Sequence, residues 1–275
     1  MHALQKHHIV DLFVWLDDNL PKQQLPKTGG RPPALTTSET LTILIWDGLN
    51  EPHKTLKDVY RWIKRDYGDC FPKLPEYQNF VVRCHQALLS MIWLLQTLLR
   101  YDAKLRFGDS TMLPVCKNIR VNDHRVARAV AAWGKNWQGW HYGFKLHASI
   151  DHENNLTGIC FTPANVYDAQ KMEELIKGMT DGVLVGDSHY GASVMRKRLW
   201  KKYRIFVIAP PHYKQKKKVM TSLQHLLLTL RPKIEAAFDY LKEHMHLVSS
   251  FPRSVRGYFV HYIRVLLGYQ IRRVS

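Results

Sequence analysis

Cysteines and long apolar runs are scarce in this chain of 275 residues. Its four cysteines form no C-x-x-C pair, which argues against a zinc ribbon or a disulfide scaffold and favours a reducing cytosol. The longest apolar run, from Ala87 to Leu99, falls short of the ~20 residues that span a bilayer. The first residues are polar and do not resemble a signal peptide. We therefore expect a soluble intracellular protein.

Acidic residues are also few. Asp and Glu number 23 against 40 Lys and Arg, so the formal net charge is +17, with 15 His in addition. Nucleic acid is the commonest polyanion that matches such an excess of positive charge. A basic protein without a special partner is the plain alternative. A membrane-surface protein is disfavoured because no amphipathic segment combines an aromatic face with a lysine face.

The first hundred residues have helical periodicity. Thr36-x-x-Glu39 predicts a capping box at the start of one helix. A second helix is predicted from Thr55 to Lys64 and a long one from about Gln78 to Leu99. We predict an all-helical N-terminal domain over residues 1–100.

Beyond that region strands and helices alternate. Residues 142–150 and 156–162 alternate at period two around a turn and predict a hairpin. Residues 204–209 predict a buried strand, and 258–271 an amphipathic helix. The pattern is that of a mixed α/β domain, which we assign to residues 101–275.

Two further predicted strands, 104–109 and 182–187, end in an aspartate, Asp109 and Asp187. Sites in open α/β sheets form at the carboxyl ends of strands. For a single aspartate there, the N-cap of the next helix is the favoured explanation. Both aspartates, however, follow a glycine and precede a serine, and this shared Gly-Asp-Ser pattern favours a common site.

Glu235 is the third candidate acid. It lies in a predicted helix, where Arg231 and Lys242 can share its face. A surface ion-pair ladder explains this spacing equally well. If the three carboxylates met, they would suit two Mg²⁺ ions, which can activate a water or a 3′-hydroxyl and stabilise the leaving oxygen. Arg231 and Lys242 would then hold the neighbouring phosphates.

Several segments together resemble a known family. They are Leu113-Pro-Val-Cys-x-Asn-x-Arg120, Tyr142-Gly-Phe-Lys-Leu-His147, Phe161-Thr-Pro-Ala-Asn165, Gly186-Asp187 followed by Tyr190, and Arg231-x₃-Glu235-x₆-Lys242. They resemble the DDE transposases of bacterial insertion sequences, in particular the family numbered nine hundred and eighty-two. The similarity covers roughly residues 35 to 270.

The resemblance implies a function as well as a fold. It implies an RNase H-like mixed sheet with flanking helices, in which Asp109, Asp187 and Glu235 ligate two Mg²⁺, or Mn²⁺ in their place. The implied reaction is cleavage of DNA strands at the element ends, followed by transfer of the 3′-hydroxyls into target DNA. The implied partners are double-stranded DNA, at inverted-repeat ends and target, and a second copy in a homodimeric synaptic complex. The N-terminal domain would bind ends or dimerise, and the protein would act at the bacterial nucleoid in the cytoplasm.

Basic residues near the three acids are candidate contacts to DNA phosphates. These candidates are Arg120, Lys145, Arg196, Arg198, Lys216, Lys217, Arg231 and Lys242. A solvated basic face is the simpler explanation for the charges between the second and third acids. Trp133, Trp137 and Trp140 are interpreted either as stacking residues for unpaired bases or as ordinary core residues.

The sequence departs from the family pattern at three places. Ser188-His189 replaces Lys-Gly after the second aspartate, Leu228 replaces a tyrosine before Glu235, and residues 249–254 keep only part of an expected basic segment. Two alternatives to a transposase follow. One is a DNA-binding protein of the same fold that has lost catalysis, and the other is a metal-dependent nuclease without strand transfer.

Overall fold

The computed structural model describes residues 8–21, 33–50, 52–191, 193–211 and 219–274. Two compact units make up the chain. The helical unit comprises residues 1–98 together with 243–275, and the sheet unit comprises residues 99–242. Residues 243–275 thus belong with the N-terminal helices, and the sheet unit lies between the two segments of the helical unit in sequence.

All the regular structure described in the helical unit is helical. In the sheet unit, helices flank the sheet. They are α1 (Ile9–Asn19), α2 (Thr37–Leu49), α3 (Leu56–Asp66), α4 (Tyr77–Gln86), α5 (Leu88–Leu98), α6 (Met172–Leu175), α7 (Ser193–Tyr203), α8 (Ser222–Thr229), α9 (Pro232–Asp239) and α10 (Val255–Val274). The strands are β1 (Leu105–Pro114), β2 (Ala132–Asn136), β3 (Gly139–Ile150), β4 (Leu156–Pro163), β5 (Gly182–Val185) and β6 (Ile205–Ile208).

The capping box predicted before α2 is present. The backbone N–H of Glu39 donates to the Thr36 hydroxyl at 3.1 Å, and the Thr36 N–H donates to the Glu39 carboxylate at 2.7 Å. The helix predicted from Thr55 is α3, with Thr55 as its N-cap. The single long helix predicted from Gln78 is instead two, α4 and α5, which separate at Ala87. Neither Gly nor Pro marks that break, so the sequence pattern does not reveal it.

The helix predicted over 258–271 is confirmed as part of α10, but α10 is buried on nearly every side, so its predicted amphipathic character is wrong. It packs against α2 and α5, and this packing is why it belongs to the helical unit. A Cβ on Gly268 would lie 2.8 Å from the Cα of Gly48, so the backbones of α10 and α2 touch where they cross. Beside this crossing the buried Arg264 guanidinium donates to the buried carboxylate of Asp47. Within the described ranges, no helix is both long and apolar enough to cross a membrane.

The sheet has β1 at its centre. On one side β3 runs antiparallel to β1, and both β4 and β2 pair antiparallel with the far edge of β3. On the other side β5 runs parallel to β1, and β6 runs parallel to β5. This mixed sheet with flanking helices confirms the predicted fold class, and the β3–β4 hairpin is confirmed with it.

A buried arginine fixes the start of β1. Arg106 is fully buried, and its guanidinium donates to the carbonyl oxygens of Ala103, Thr157, Leu175, Lys177 and Tyr101 at 2.8–3.2 Å. Burial lowers its pKa to about 10. The five bonds tie β1 to β4 and to the chain around α6, so the strand that carries Asp109 is held at its base.

Candidate active site

Asp109 lies in the middle of β1, so the prediction that its strand ends there is wrong. It pairs with Ala148 of β3, and β1 continues to Pro114 against that strand. The parallel partner β5 stops earlier, with Phe107 opposite Val185 as the last pair. Asp109 therefore lies where the neighbouring strand has ended and the sheet opens. The N-cap interpretation does not apply to a residue inside a strand.

Asp187 follows β5, as predicted. Its position is two residues beyond the Phe107–Val185 pair, and Asp109 is also two beyond it on β1. The N–H of His189 donates to Asp187 Oδ1 at 2.9 Å, and the His189 ring nitrogen Nδ1 is 2.7 Å from Oδ2. Asp187 thus caps the short helical turn Ser188–Gly191 as well as facing the region of Asp109.

Both glycines of the shared Gly-Asp-Ser pattern lie in close packing. A Cβ on Gly108 would lie 3.1 Å from a methyl group of Leu184. A Cβ on Gly186 would lie 2.7 Å from the ring of Tyr190. The repeated pattern therefore reflects close side-chain packing against the backbone just before each aspartate.

Glu235 is joined to Asp109 through Arg231. The Arg231 Nη2 donates to Asp109 Oδ2 at 3.0 Å, and Nη1 lies 3.0 Å from Glu235 Oε1. The Arg231–Glu235 contact is the ion pair that a surface ladder on the helix predicts. A surface ladder does not explain the second bond, from Arg231 to Asp109 on the sheet. Helix α9 packs on β1, which brings the first and third predicted acids to one guanidinium.

The electrostatics of Asp109 reflect its burial. Burial raises the pKa of this carboxyl to about 6, against the opposing effects of Arg231 and the Ser110 N–H. The negative charges of Asp187 and Asp168 add to the rise. A carboxylate in such surroundings gains more than an exposed one from a nearby cation.

Tyr190 is a site residue whose role the sequence did not reveal. Its side chain is fully buried, and its hydroxyl has no hydrogen-bond partner among the residues that the structure describes. Burial raises its pKa, and the charges of Asp168, Asp109 and Asp187 raise it further. The hydroxyl is thus a buried donor within the field of these acids.

Lys145 is not placed for a contact to phosphate. It lies in β3 between Phe144 and Leu146, and side-chain alternation puts it on the face of the sheet opposite Asp109. Its ammonium is buried and donates to the Val166 carbonyl and to Asp168, each at 2.9 Å. The predicted alternation along β3 is therefore right. Lys145, however, forms a buried ion pair with Asp168 and does not face DNA.

The remaining predicted DNA contacts vary in their surroundings. Arg120 is exposed in the short helical turn after β1. Arg198 on α7 is largely exposed and pairs with Glu173 at 2.9 Å, whereas Arg196 is half-buried. Lys242 is half-buried, and its charge helps to lower the pKa of His141. Lys216 and Lys217 lie outside the described residues.

Residues 101–255 match the family described as the transposase DDE domain. The match covers more than half of the chain, which therefore belongs to this family. None of the curated proteins compared with the chain matches it. The predicted DDE transposase class is confirmed. This family implies DNA binding and suggests an enzyme that processes DNA. The particular insertion-sequence family stays a prediction.

DDE transposase domains generally use divalent metal ions, and the acids here are of the right kind. Carboxylate oxygens are the donors that Mg²⁺ and Mn²⁺ prefer. Asp109 and Glu235 both contact the guanidinium of Arg231, through different nitrogens. Among the described residues, no three His, Cys, Asp or Glu side chains form a ready metal-binding group. The donor chemistry thus fits a metal, while Arg231 and His189 hold the carboxylates in this structure.

Proposed function

We propose that this chain is a bacterial insertion-sequence transposase of the family numbered nine hundred and eighty-two. It cuts DNA strands at the ends of its element and joins the freed 3′-hydroxyls to target DNA. The observation that carries the proposal is the bridge that Arg231 makes between Asp109 and Glu235. This bridge supports a shared site for Asp109 and Glu235, which are 126 residues apart in sequence. Asp187 follows the strand next to β1 and lies level with Asp109 in the register of the two strands.

In this proposal Asp109, Asp187 and Glu235 hold two Mg²⁺ ions, or Mn²⁺. When bound, these ions neutralise phosphate charge and activate a water or a 3′-hydroxyl. The residues of the chain hold these carboxylates in position. β1 holds Asp109 against β3, and Arg231 contacts both Asp109 and Glu235. Arg231, Lys242 and Arg120 would also contact DNA phosphates.

The helical unit has a separate role in the proposal. Strand transfer requires two element ends to be held together, which favours a homodimer in a synaptic complex. We assign recognition of the inverted repeats, or dimerisation, to the N-terminal helices over residues 1–100. Because α10 completes their packing, residues 243–275 belong to the same functional part. The site of action is the nucleoid in the bacterial cytoplasm.

An excision and joining assay tests the proposed reaction. A marked DNA segment flanked by the inverted repeats beside the gene is supplied in cells with wild-type protein, Asp109→Asn or Asp181→Asn. Asp181 is an exposed aspartate with a positive φ that asparagine also accepts, so it is the matched control. We expect joined products from wild type and Asp181→Asn, and none from Asp109→Asn. Nicked products that never join would instead establish a nuclease.

A second candidate is a DNA-binding protein of the same fold that does not cut. One observation favours it: Arg231 and His189 occupy carboxylate oxygens of all three acids. This candidate predicts that wild type and Asp109→Asn bind the repeats equally and that neither yields products.

A further inference from the structure

A two-stranded ribbon projects from the sheet unit. It consists of β2 paired with Gly139–Gly143 at the start of β3, and we call it the aromatic ribbon. Trp137 and Gln138 form the two-residue turn at its tip. The Asn136 side chain holds this turn, since its Oδ1 accepts from the Gln138 N–H at 2.9 Å and lies 3.0 Å from His141 Nε2. Gly139 closes it with a φ of 114°.

One face of the aromatic ribbon is covered by aromatic rings. Trp133 is opposite Tyr142 and Lys135 is opposite Trp140, so these four side chains share a face. The rings of Trp133 and Trp140 lie 6.4 Å apart edge to face, and the Lys135 ammonium lies 5.7 Å from the centre of the Trp140 ring. The backbone of Ala164 packs against the opposite face at Gly134, where an added Cβ would lie 2.4 Å from the Ala164 carbonyl oxygen.

The tryptophans are strongly exposed. Trp133 is 41% exposed, Trp140 55% and Trp137 at the tip 90%. The interpretation of these residues as ordinary core is therefore wrong. Leaving so much aromatic surface in water is costly, and exposed patches of this kind mark binding surfaces.

Positive charge surrounds the aromatic ribbon. The segment between β1 and β2 lies against it: Asn118 donates to the Trp140 carbonyl at 2.7 Å, and the His124 ring contacts Tyr142. This segment and the aromatic ribbon carry the exposed cations Lys117, Arg120, Arg125, Arg128 and Lys135. Asp123 is the one acid between residues 115 and 141. Rings beside cations suit a partner with flat aromatic faces and a negatively charged backbone.

We propose that the aromatic ribbon binds unpaired bases of DNA, with Trp137 and Trp140 as the stacking residues. The partner is nucleic acid rather than protein because of the surrounding charge and because the chain belongs to a DNA-processing family. The bases are unpaired because a continuous duplex hides the faces of its bases from a ring. The proposal rests on the proposed function in taking DNA as the substrate, and the position of the bases relative to the cut rests on Asp109 as a site residue.

The position of the aromatic ribbon relative to Asp109 follows from β3. Alternation puts Trp140 and Tyr142 on the face of β3 that carries Ala148, the partner of Asp109. Eight residues separate Trp140 from Ala148, a distance of about 27 Å along a strand. The bound bases therefore lie several nucleotides from the cut, on the same side of the sheet.

Binding of fluorescently labelled oligonucleotides tests this proposal, with EDTA present so that no cleavage occurs. The probes are a short single strand of mixed sequence and the same sequence as a blunt duplex. The proteins are wild type, Trp137→Ala, Trp137→Phe, Trp140→Ala, and Phe206→Ala as a control. Phe206 is a 42% exposed aromatic residue on β6, away from the aromatic ribbon in the sheet order.

We expect Trp137→Ala and Trp140→Ala to weaken single-strand binding about 5- to 150-fold, the loss of one base stack. Trp137→Phe should restore most of the affinity, and duplex binding should change less than about twofold. Phe206→Ala should match wild type. Unchanged single-strand affinity in both alanine variants would overturn the proposal, as would an equal loss for duplex and single strand. A change from dimer to monomer in sedimentation by Trp137→Ala would overturn it in favour of self-association. A failed excision assay would contradict the proposed function and leave this binding result intact.

Discussion

Arg231 and Asp109 are 122 residues apart in sequence, yet the guanidinium of one donates to the carboxylate of the other at 3.0 Å. Because Asp109 is buried, this bond compensates part of the cost of keeping a carboxylate out of water. The same guanidinium contacts Glu235, so one side chain organises two of the three acids. The planar fork of arginine makes this possible, since its terminal nitrogens can serve two carboxylates at once.

The first prediction concerns that bridge. In Arg231→Lys the positive charge stays, but a single ammonium on a different stem does not reproduce both contacts. We expect joined product to fall about 10- to 100-fold, the effect of losing one hydrogen bond to a charged group. The thermal midpoint should stay near that of wild type. Arg100→Lys, at an exposed arginine paired with Asp102, is the control and should be fully active.

A second prediction concerns metal binding without reference to activity. A ligand that binds only the folded state raises its stability. Added MgCl₂ should therefore raise the melting temperature of the wild-type protein by several degrees, and it should not do so in Asp109→Asn. Asp181→Asn should respond like wild type. An equal rise in all three proteins would place the metal elsewhere.

Gly186 gives a third prediction. A Cβ at this position would lie 2.7 Å from Cγ of Tyr190 and would displace the ring that faces the acids. We expect Gly186→Ala to lower the free energy of unfolding by about 1–3 kcal/mol, as overpacking does. It should also reduce the yield of joined product. Gly68→Ala, where nothing lies within 4 Å of the added carbon, should be neutral in urea unfolding. Equal behaviour of the two variants would contradict the packing argument.

His261 gives a fourth prediction, on pH. It is fully buried, its Nε2 donates to the His246 carbonyl at 2.8 Å, and Arg264 lies 3.2 Å from its Nδ1. Burial, with the charge of Arg264, lowers its pKa from 6.5 to about 3. Below pH 6.5 the unfolded chain therefore binds a proton that the folded chain does not, and stability falls as pH falls. Between pH 7 and 5 this one group should remove roughly 2 kcal/mol of stability.

The measurement for His261 is urea unfolding at both pH values. His261→Gln keeps a donor and an acceptor but does not titrate, so its loss of stability between pH 7 and 5 should be smaller. His152→Gln, at an exposed histidine, is the control and should follow wild type. An unchanged pH dependence in His261→Gln would show that the loss arises from other groups.

The sequence pattern predicted the structural class because it depends on local signals. Thr36 and Glu39 predict the start of a helix, and the period-two alternation through β3 predicts a strand. The end of β1 was not predictable in this way. Asp109 is inside a strand because β3 continues beside it, and that pairing depends on a residue 39 positions away, Ala148.

The side-chain contacts of the candidate site were less predictable than its acids. Nothing local indicates that Lys145 meets Asp168, or that Tyr190 is buried beside the acids, because both facts depend on how distant segments pack. Helix α10 shows the same limit. Its polar Arg264 and His261 suggest a solvated face, whereas each is buried with a partner, Asp47 or His246.

The crossing of Gly48 and Gly268 has a consequence for how the protein is made. The ribosome completes α2 and α5 long before it reaches α10, and the whole sheet unit is synthesised in between. Until then the first helices lack the surface that buries them. Translation that stops within the sheet unit would therefore leave an unfinished helical unit, exposed to proteases and chaperones. A truncated product would lack both a complete site and the helical packing proposed to hold DNA ends.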